Sequence, residues 1–232
     1  MKTLTKLISL VLAAVMMLSA MAMFVAAEEE PLFSDVKTTD WAYKGIKFAT
    51  EKGLMNGTGG GRFSPQGKLT RGMVITVLYR LEGSPEVKFD EADFLDVPAG
   101  MYYSDAASWA VKNEVVTGTS TDIWGTPAVS PDRNITRQEL ATLFVRFANY
   151  RHVKMNEGGS LDSFEDKAKV ASWATDAMEW ATAAGLINGT GGGKTLSPEG
   201  DATREQFATI IQRYCEATPS PSILLLTVRT ST

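Results

Sequence analysis

Along this chain one helical spacing of apolar residues is written three times. Val74, Val77, Leu78 and Leu81 stand at i, i+3, i+4 and i+7, and the same spacing returns as Leu140, Leu143, Phe144, Phe147 and as Phe207, Ile210, Ile211, Tyr214. Such a stripe marks one core-facing side of an amphipathic helix. Each stripe follows a Thr-Arg pair, and Thr70, Thr136 and Thr203 are natural N-caps. Thr136 with Glu139 makes a capping box, and Thr203 with Gln206 offers the same. Met73 stands at that place in the first copy, so its reciprocal half is lost.

The copies extend upstream. They open at Phe33-Ser34-Asp35-Val36, Phe94-Leu95-Asp96-Val97 and Phe164-Glu165-Asp166, and an aromatic follows at Trp41, Tyr102 and Trp173. In the first copy the pattern predicts a helix from about Asp40, as N-cap, to Lys52, stopped by Gly53, with Trp41, Gly45, Phe48 and Ala49 on one side. Its counterpart in the third copy ends at Gly185, whereas the second has Glu114 there and a less defined end. Glycine turns come next, Asn56-Gly57, Thr117-Gly118 and Asn188-Gly189, which read as tight turns of positive φ. Loops then lead to Ser64-Pro65, Ser130-Pro131 and Ser197-Pro198, five residues before each capping threonine.

Two short helices in about 50 residues bury too little surface to stand alone. Fully burying one Leu or Phe is worth roughly 1.5–3 kcal/mol, against about 1–2 kcal/mol of backbone entropy per ordered residue. The expectation is therefore an all-α fold of three helix-loop-helix repeats, residues 31–83, 92–149 and 162–216, sharing one core. The polar connectors Gly83–Asp93 and Asn149–Ser163 carry the chain between them.

The two ends follow other rules. Lys2 and Lys6, the apolar run Leu7–Ala27 and the small residues Val25-Ala26-Ala27 form a secretory signal peptide over residues 1–27. An uncleaved anchor is the alternative, since about 21 apolar residues could span a bilayer. The tail, residues 217–232, passes through a Pro/Ser linker into a short apolar run and has no assigned role.

Charge narrows the function. Without Lys2 and Lys6, the 23 basic residues become 21 against 27 acidic ones, a balance of −6. An acidic exported chain with no basic stripe is not a nucleic-acid binder. One cysteine, Cys215, allows no internal disulfide, and no Cys/His cluster offers a zinc site. The fold must therefore be held by its core.

Candidate chemistry concentrates at repeated positions. Arg71, Arg137 and Arg204 occupy the first turn of a helix, where a cation is mildly unfavourable. With free N–H groups beside it, an arginine there makes a carboxylate or phosphate pocket; an internal salt bridge is the competing reading. Trp41, Tyr102 and Trp173 are either core or stacking faces for a sugar. The Gly59-Gly60-Gly61 run is no phosphate loop, lacking the preceding strand and the Gly-Lys-Ser/Thr. Asp35, Asp96 and Asp166 read as loop carboxylates that bond backbone. The sequons at Asn56, Asn134 and Asn188 coincide with turns and a cap. With no nucleophile–base set and no metal motif, the chain does not read as an enzyme, and no cofactor is expected.

Phe-x-Asp-Val, the aromatic, Gly-Leu-Met-Asn-Gly, Phe-Ser-Pro and Leu-Thr-Arg, three times over from about Pro31 to Glu216, resemble the S-layer homology (SLH) domain family. The resemblance implies a pseudo-threefold helical bundle with grooves between neighbouring units. It also implies non-covalent attachment of an exported protein to the cell wall, commonly through secondary cell-wall polysaccharide bearing pyruvyl ketals. The family's Thr-Arg-Ala-Glu falls on Thr70-Arg71-Gly72-Met73, Thr136-Arg137-Gln138-Glu139 and Thr203-Arg204-Glu205-Gln206, so Arg71, Arg137 and Arg204 would meet the ketal carboxylate. A basic residue three before the arginine is present as Lys68 but replaced by Asn134 and Asp201. Trp41, Tyr102 and Trp173, with the turns Asn56-Gly57 and Asn188-Gly189, would hold the sugar. Repeat two lacks the Asn-Gly turn and carries five extra loop residues, which implies unequal grooves with the weakest loop there. The partner expected is a wall polysaccharide, with no membrane span once the signal is removed and self-association left open. The rival expectation is the anchoring fragment of a longer cell-surface glycoside hydrolase or S-layer protein.

Overall fold

In a computed structural model, the structure describes residues 31–122, 124–153 and 159–218. The expected signal peptide, and the tail from residue 219 onward, lie outside the described residues. Among the described residues six α-helices follow in order: α1 Tyr43–Glu51, α2 Arg71–Leu81, α3 Ser104–Lys112, α4 Arg137–Tyr150, α5 Thr175–Ala183 and α6 Arg204–Ala217. The three second helices, α2, α4 and α6, begin directly after Thr70, Thr136 and Thr203, of which the first two cap with their hydroxyls and Thr203 does not. Thr70 Oγ1 accepts from the Met73 N–H at 3.3 Å and Thr136 Oγ1 from Glu139 at 3.4 Å. Glu139 returns the bond to the Thr136 N–H at 2.9 Å, and Gln206 does so to Thr203 at 3.3 Å.

The first helices start later than the pattern predicts. Asp40 is not the N-cap of α1; its carboxylate accepts the Lys37 N–H at 2.8 Å and its carbonyl the Tyr43 N–H at 3.0 Å. A turn therefore stands where the helix was expected to begin, and α1 enters from Ala42. Gly53 and Gly185 end α1 and α5 with φ of 66° and 68°. Glu114 adopts the same left-handed conformation, φ 59°, after α3. The glycine turns are not alike. Gly118 and Gly189 have positive φ, but Gly57 does not. Its missing side chain serves close approach instead, because a Cβ there would lie 2.7 Å from the Arg62 carbonyl and 2.8 Å from the Phe33 ring.

The helix-rich class holds with one addition. The extra residues of repeat two form a two-stranded antiparallel ribbon, β1 Ser120–Thr121 against β2 Pro127–Ala128. Asp122 turns it by accepting the N–H groups of Trp124 and Thr126 at 3.0 and 2.8 Å.

All twelve stripe residues are buried. They belong to one cluster of buried side chains with members from all three repeats. Helices pair across repeats: α2 packs on α3, α4 on α5, and α6 on α1. The residues just before the second helices are joined as well. Leu69 N–H donates to Ala202, Ala202 to Ile135 and Ile135 to Leu69, at 3.0, 2.9 and 3.0 Å. These three bonds close a ring. Each second helix is also capped from another repeat. The N–H groups of Arg71 and Gly72 go to Arg133 and Pro131, those of Arg137 and Gln138 to Gly200 and Pro198, and those of Arg204 and Glu205 to Gly67 and Pro65. The orphan donors of a helix start are thus met by neighbouring Ser-Pro loops.

Candidate functional site: three grooves between repeats

The Ser-Pro loops owe their shape to the repeated aspartates. Asp35 accepts the N–H groups of Phe63 and Ser64 at 2.8 and 2.9 Å, Asp96 those of Val129 and Ser130 at 2.7 Å each, and Asp166 those of Leu196 and Ser197 at 2.7 and 2.8 Å. These carboxylates bond backbone as expected, but to a segment about 30 residues on. The latch holds Ser64, Ser130 and Ser197 at φ of 50–58°, an uncommon conformation for a residue with a side chain. Burial alone would raise the Asp35 and Asp166 carboxyls; the paired N–H donors outweigh it and hold both below the ordinary value.

Each latched loop presents a carbonyl to an arginine of another repeat. The Nε of Arg71 donates to Val129 at 2.9 Å, that of Arg137 to Leu196 at 2.7 Å and that of Arg204 to Phe63 at 2.8 Å. The Arg204 guanidinium also lies over the Phe63 ring, 4.5 Å from its centroid. All three arginines are buried, at most 9% exposed. Burial pushes their guanidinium pKa values down, against the raising field of Glu139 on Arg71, Asp166 on Arg137 and Asp35 on Arg204. The helix N–H groups beside them are already bonded to neighbouring carbonyls, so the pocket of free amides expected from the sequence is absent. What remains is the terminal end of each guanidinium. Arg137 reaches Gln206 at 3.1 Å, Arg204 reaches the Asn56 carbonyl at 2.6 Å, and Arg71 stands 3.8 Å from Glu139.

Those ends line three grooves of one design. The first, about 170 Å³, lies between the Asn56-Gly57 turn, Arg80 of α2, Tyr102 and Arg204. The second, about 320 Å³, has Thr117-Gly118, Arg146 of α4, Trp173 and Arg71. The third, about 490 Å³, has Asn188-Gly189, Arg213 of α6, Trp41 and Arg137. Every groove thus takes its turn and helix wall from one repeat, its aromatic from the next and its buried arginine from the one before. Trp41, Tyr102 and Trp173 are 62%, 56% and 58% exposed, so the core alternative does not hold and each ring is open to solvent beside its groove.

Lys68 lies elsewhere. Its Nζ is 2.8 Å from Asp201 Oδ2, and Asn134 Nδ2 donates to the same oxygen at 3.2 Å. The three residues at this repeated position meet one another, and Lys68 is not among the residues that line the three grooves.

Sequence reasoning passed over Arg80, Arg146 and Arg213, which stand nine residues after Arg71, Arg137 and Arg204. The signal was the same threefold recurrence. Their Nη1 atoms bond the adjoining turns, at the Leu54 carbonyl (3.0 Å), Thr117 Oγ1 (2.8 Å) and the Leu186 carbonyl (3.2 Å). Each groove therefore holds two arginines from two repeats. The second groove adds Arg133, which is paired with Glu139. The grooves are unequal in size, and the smallest belongs to the turn of repeat one.

Known proteins give the context. The S-layer homology domain family matches residues 32–72, 93–141 and 163–208. An endoglucanase of Bacillus sp. (strain KSM-635) is 30% identical over 186 residues, 77% of this chain and 18% of that protein. The surface-layer 125 kDa protein of Lysinibacillus sphaericus is 31% identical over 129 residues, 54% of this chain and 10% of its own length. A cellulosome-anchoring protein of Acetivibrio thermocellus is 26% identical over 193 residues, 79% of this chain and 41% of its own length. The chain thus spans less than half of each of these relatives.

Proposed function

The chain belongs to the S-layer homology domain family, and from that membership we propose that it is a secreted, non-enzymatic anchor that attaches an exported protein to the cell wall. The three repeats act as one pseudo-threefold body, and the ligand is a wall polysaccharide carrying carboxylates, such as pyruvyl ketals. One observation carries this reading: a groove with two guanidiniums, a glycine turn and an exposed aromatic is built three times from equivalent residues. Arg71, Arg137 and Arg204 on the floor, with Arg80, Arg146 and Arg213 on the wall, attract the carboxylate. Trp41, Tyr102 and Trp173 give the sugar an apolar face. Asn56-Gly57 and Asn188-Gly189 let the sugar approach the backbone. Several weak grooves on one body then add by effective concentration along a polymer. The names of the surface-layer and cellulosome-anchoring relatives support the anchoring role.

The test is sedimentation of the exported protein with wall sacs, before and after mild acid removes ketals, with a re-ketalated or synthetic glycan as control. Replacing Arg71, Arg137 or Arg204 by Ala is a poor probe. It strands a buried carbonyl and costs about 1–3 kcal/mol of stability. The exposed rings are the better probe. Trp41→Ala, Tyr102→Ala and Trp173→Ala combined are expected to lower wall binding at least about tenfold, several kT spread over three contacts, with little change in melting temperature. Undiminished binding by that variant, or equal binding to acid-stripped walls, refutes the carboxylate-and-ring mechanism.

A further inference from the structure

Beside the third groove lies a larger cavity, about 610 Å³, and Trp41 borders both. The cavity is walled by Thr39, Asp40, Gln66 and Glu205, with Asp35 and Arg62 tied to each other at 3.4 Å. Both hollows fall within the ~300–1,000 Å³ range of sites for small organic ligands. Their charge is opposite. The groove holds Arg137 and Arg213 and no carboxylate, whereas the cavity holds three carboxylates against one guanidinium. Glu205 accepts from Gln66 Nε2 at 2.6 Å and lines the cavity together with the Trp41 ring. The arrangement belongs to this junction alone among the described residues. Where Glu205 stands, the other repeats have Gly72 and Gln138, and Gln138 turns away to accept the Ala171 N–H at 3.0 Å. Where Asp40 stands, they have Met101 and Ser172.

We propose that this cavity is a second subsite that takes the next sugar of the same wall glycan, a sugar that is not acidic and that binds best with a free amino group. The inference rests on the carboxylate reading of the third groove. A glycan with its acidic sugar against Arg137 and Arg213 crosses the exposed Trp41 edge and places its neighbour among hydroxyl, amide and carboxylate acceptors. A second acidic sugar would meet Asp40 and Glu205 and be repelled. An ammonium would pair with them.

The experiment follows the Trp41 indole N–H by NMR in the full exported protein, assigned with Trp41→Phe. The probes are a pyruvyl-ketal monosaccharide and three disaccharides that extend it with glucosamine, N-acetylglucosamine or glucuronic acid. The glucosamine extension is expected to tighten binding about fivefold over the monosaccharide, the upper end for a partly exposed ion pair. N-acetylglucosamine should give less, and glucuronic acid none or a loss. Asp40→Asn with Glu205→Gln should erase the glucosamine gain and leave monosaccharide binding unchanged, because neither residue lines the third groove. If the monosaccharide binds but the extensions bind alike, or the double variant keeps the gain, the second subsite is wrong and the groove reading stands. If the monosaccharide leaves the Trp41 signal unmoved, both fall together.

Discussion

A single carboxylate at the head of each repeat fixes the loop that the rest of the groove is built on. Asp35 and Asp166 are ionised below their ordinary range because two N–H donors outweigh the effect of burial. An acid depressed in the folded state contributes stability in full above its unfolded pKa, about 3.9 for Asp, and loses it as pH falls through the folded value. Glu205, raised by burial, works in the opposite sense and protonates first. The urea midpoint is therefore expected to drop steeply only below about pH 4, and less steeply in Asp35→Asn/Asp166→Asn. An identical acid limb in both proteins would rule the latches out as the source. The recurrence of these aspartates was plain in the sequence. Their partners were not, since no local spacing links Asp35 to Phe63 or Asp166 to Leu196. Arg71, Arg137 and Arg204 show the same limit: their position was readable, but the carbonyl each one holds belongs to another repeat.

Helices were legible where a local device marks them. Thr70 and Thr136 cap the starts of α2 and α4. At α6 the Thr203 hydroxyl is unbonded and Gln206 alone makes the capping bond. The apolar stripes fix the buried sides of all three. Asp40 misled because Asp serves an N-cap and a preceding turn equally well, and only the path of the chain into α1 decides. The same helix shows how tightly elements meet. A Cβ on Gly45 would lie 2.7 Å from Thr209 Cα and 2.8 Å from its nitrogen, which is backbone that cannot step aside. Gly45→Ala should gain less than about 1 kcal/mol in helix propensity and lose roughly 1–3 kcal/mol by overpacking α1 against α6. At about 2–4 °C per kcal/mol for a domain of this size, the melting temperature is expected to fall by several degrees. A rise would mean that α1 and α6 part at no cost.

At the scale of the molecule the notable bond pattern is the closed circuit through Leu69, Ile135 and Ala202, together with caps and arginines that all reach into another repeat. The repeats were readable as three copies that need a common core; which carbonyl caps which helix and which arginine it meets in another repeat could not be read from any one of them. Such a body should open as a unit. Cys215 offers the test. It is buried on α6, and burial pushes its thiol up to about 12, so the folded protein should resist a thiol reagent. Labelling under native conditions is expected to report the same free energy as urea unfolding. Much faster labelling would show α6 leaving by itself.

The first helix of the fold grips the last. A load drawn on the chain beyond Ala217 pulls first on α6, and α6 is held by α1, by the Pro65 and Gly67 carbonyls and by the Phe63 carbonyl under Arg204. Traction at one end is therefore shared with the opposite end before any repeat can peel away. If the three repeats anchor a surface protein as proposed, the load on that anchor is carried by the whole body and not by its last repeat.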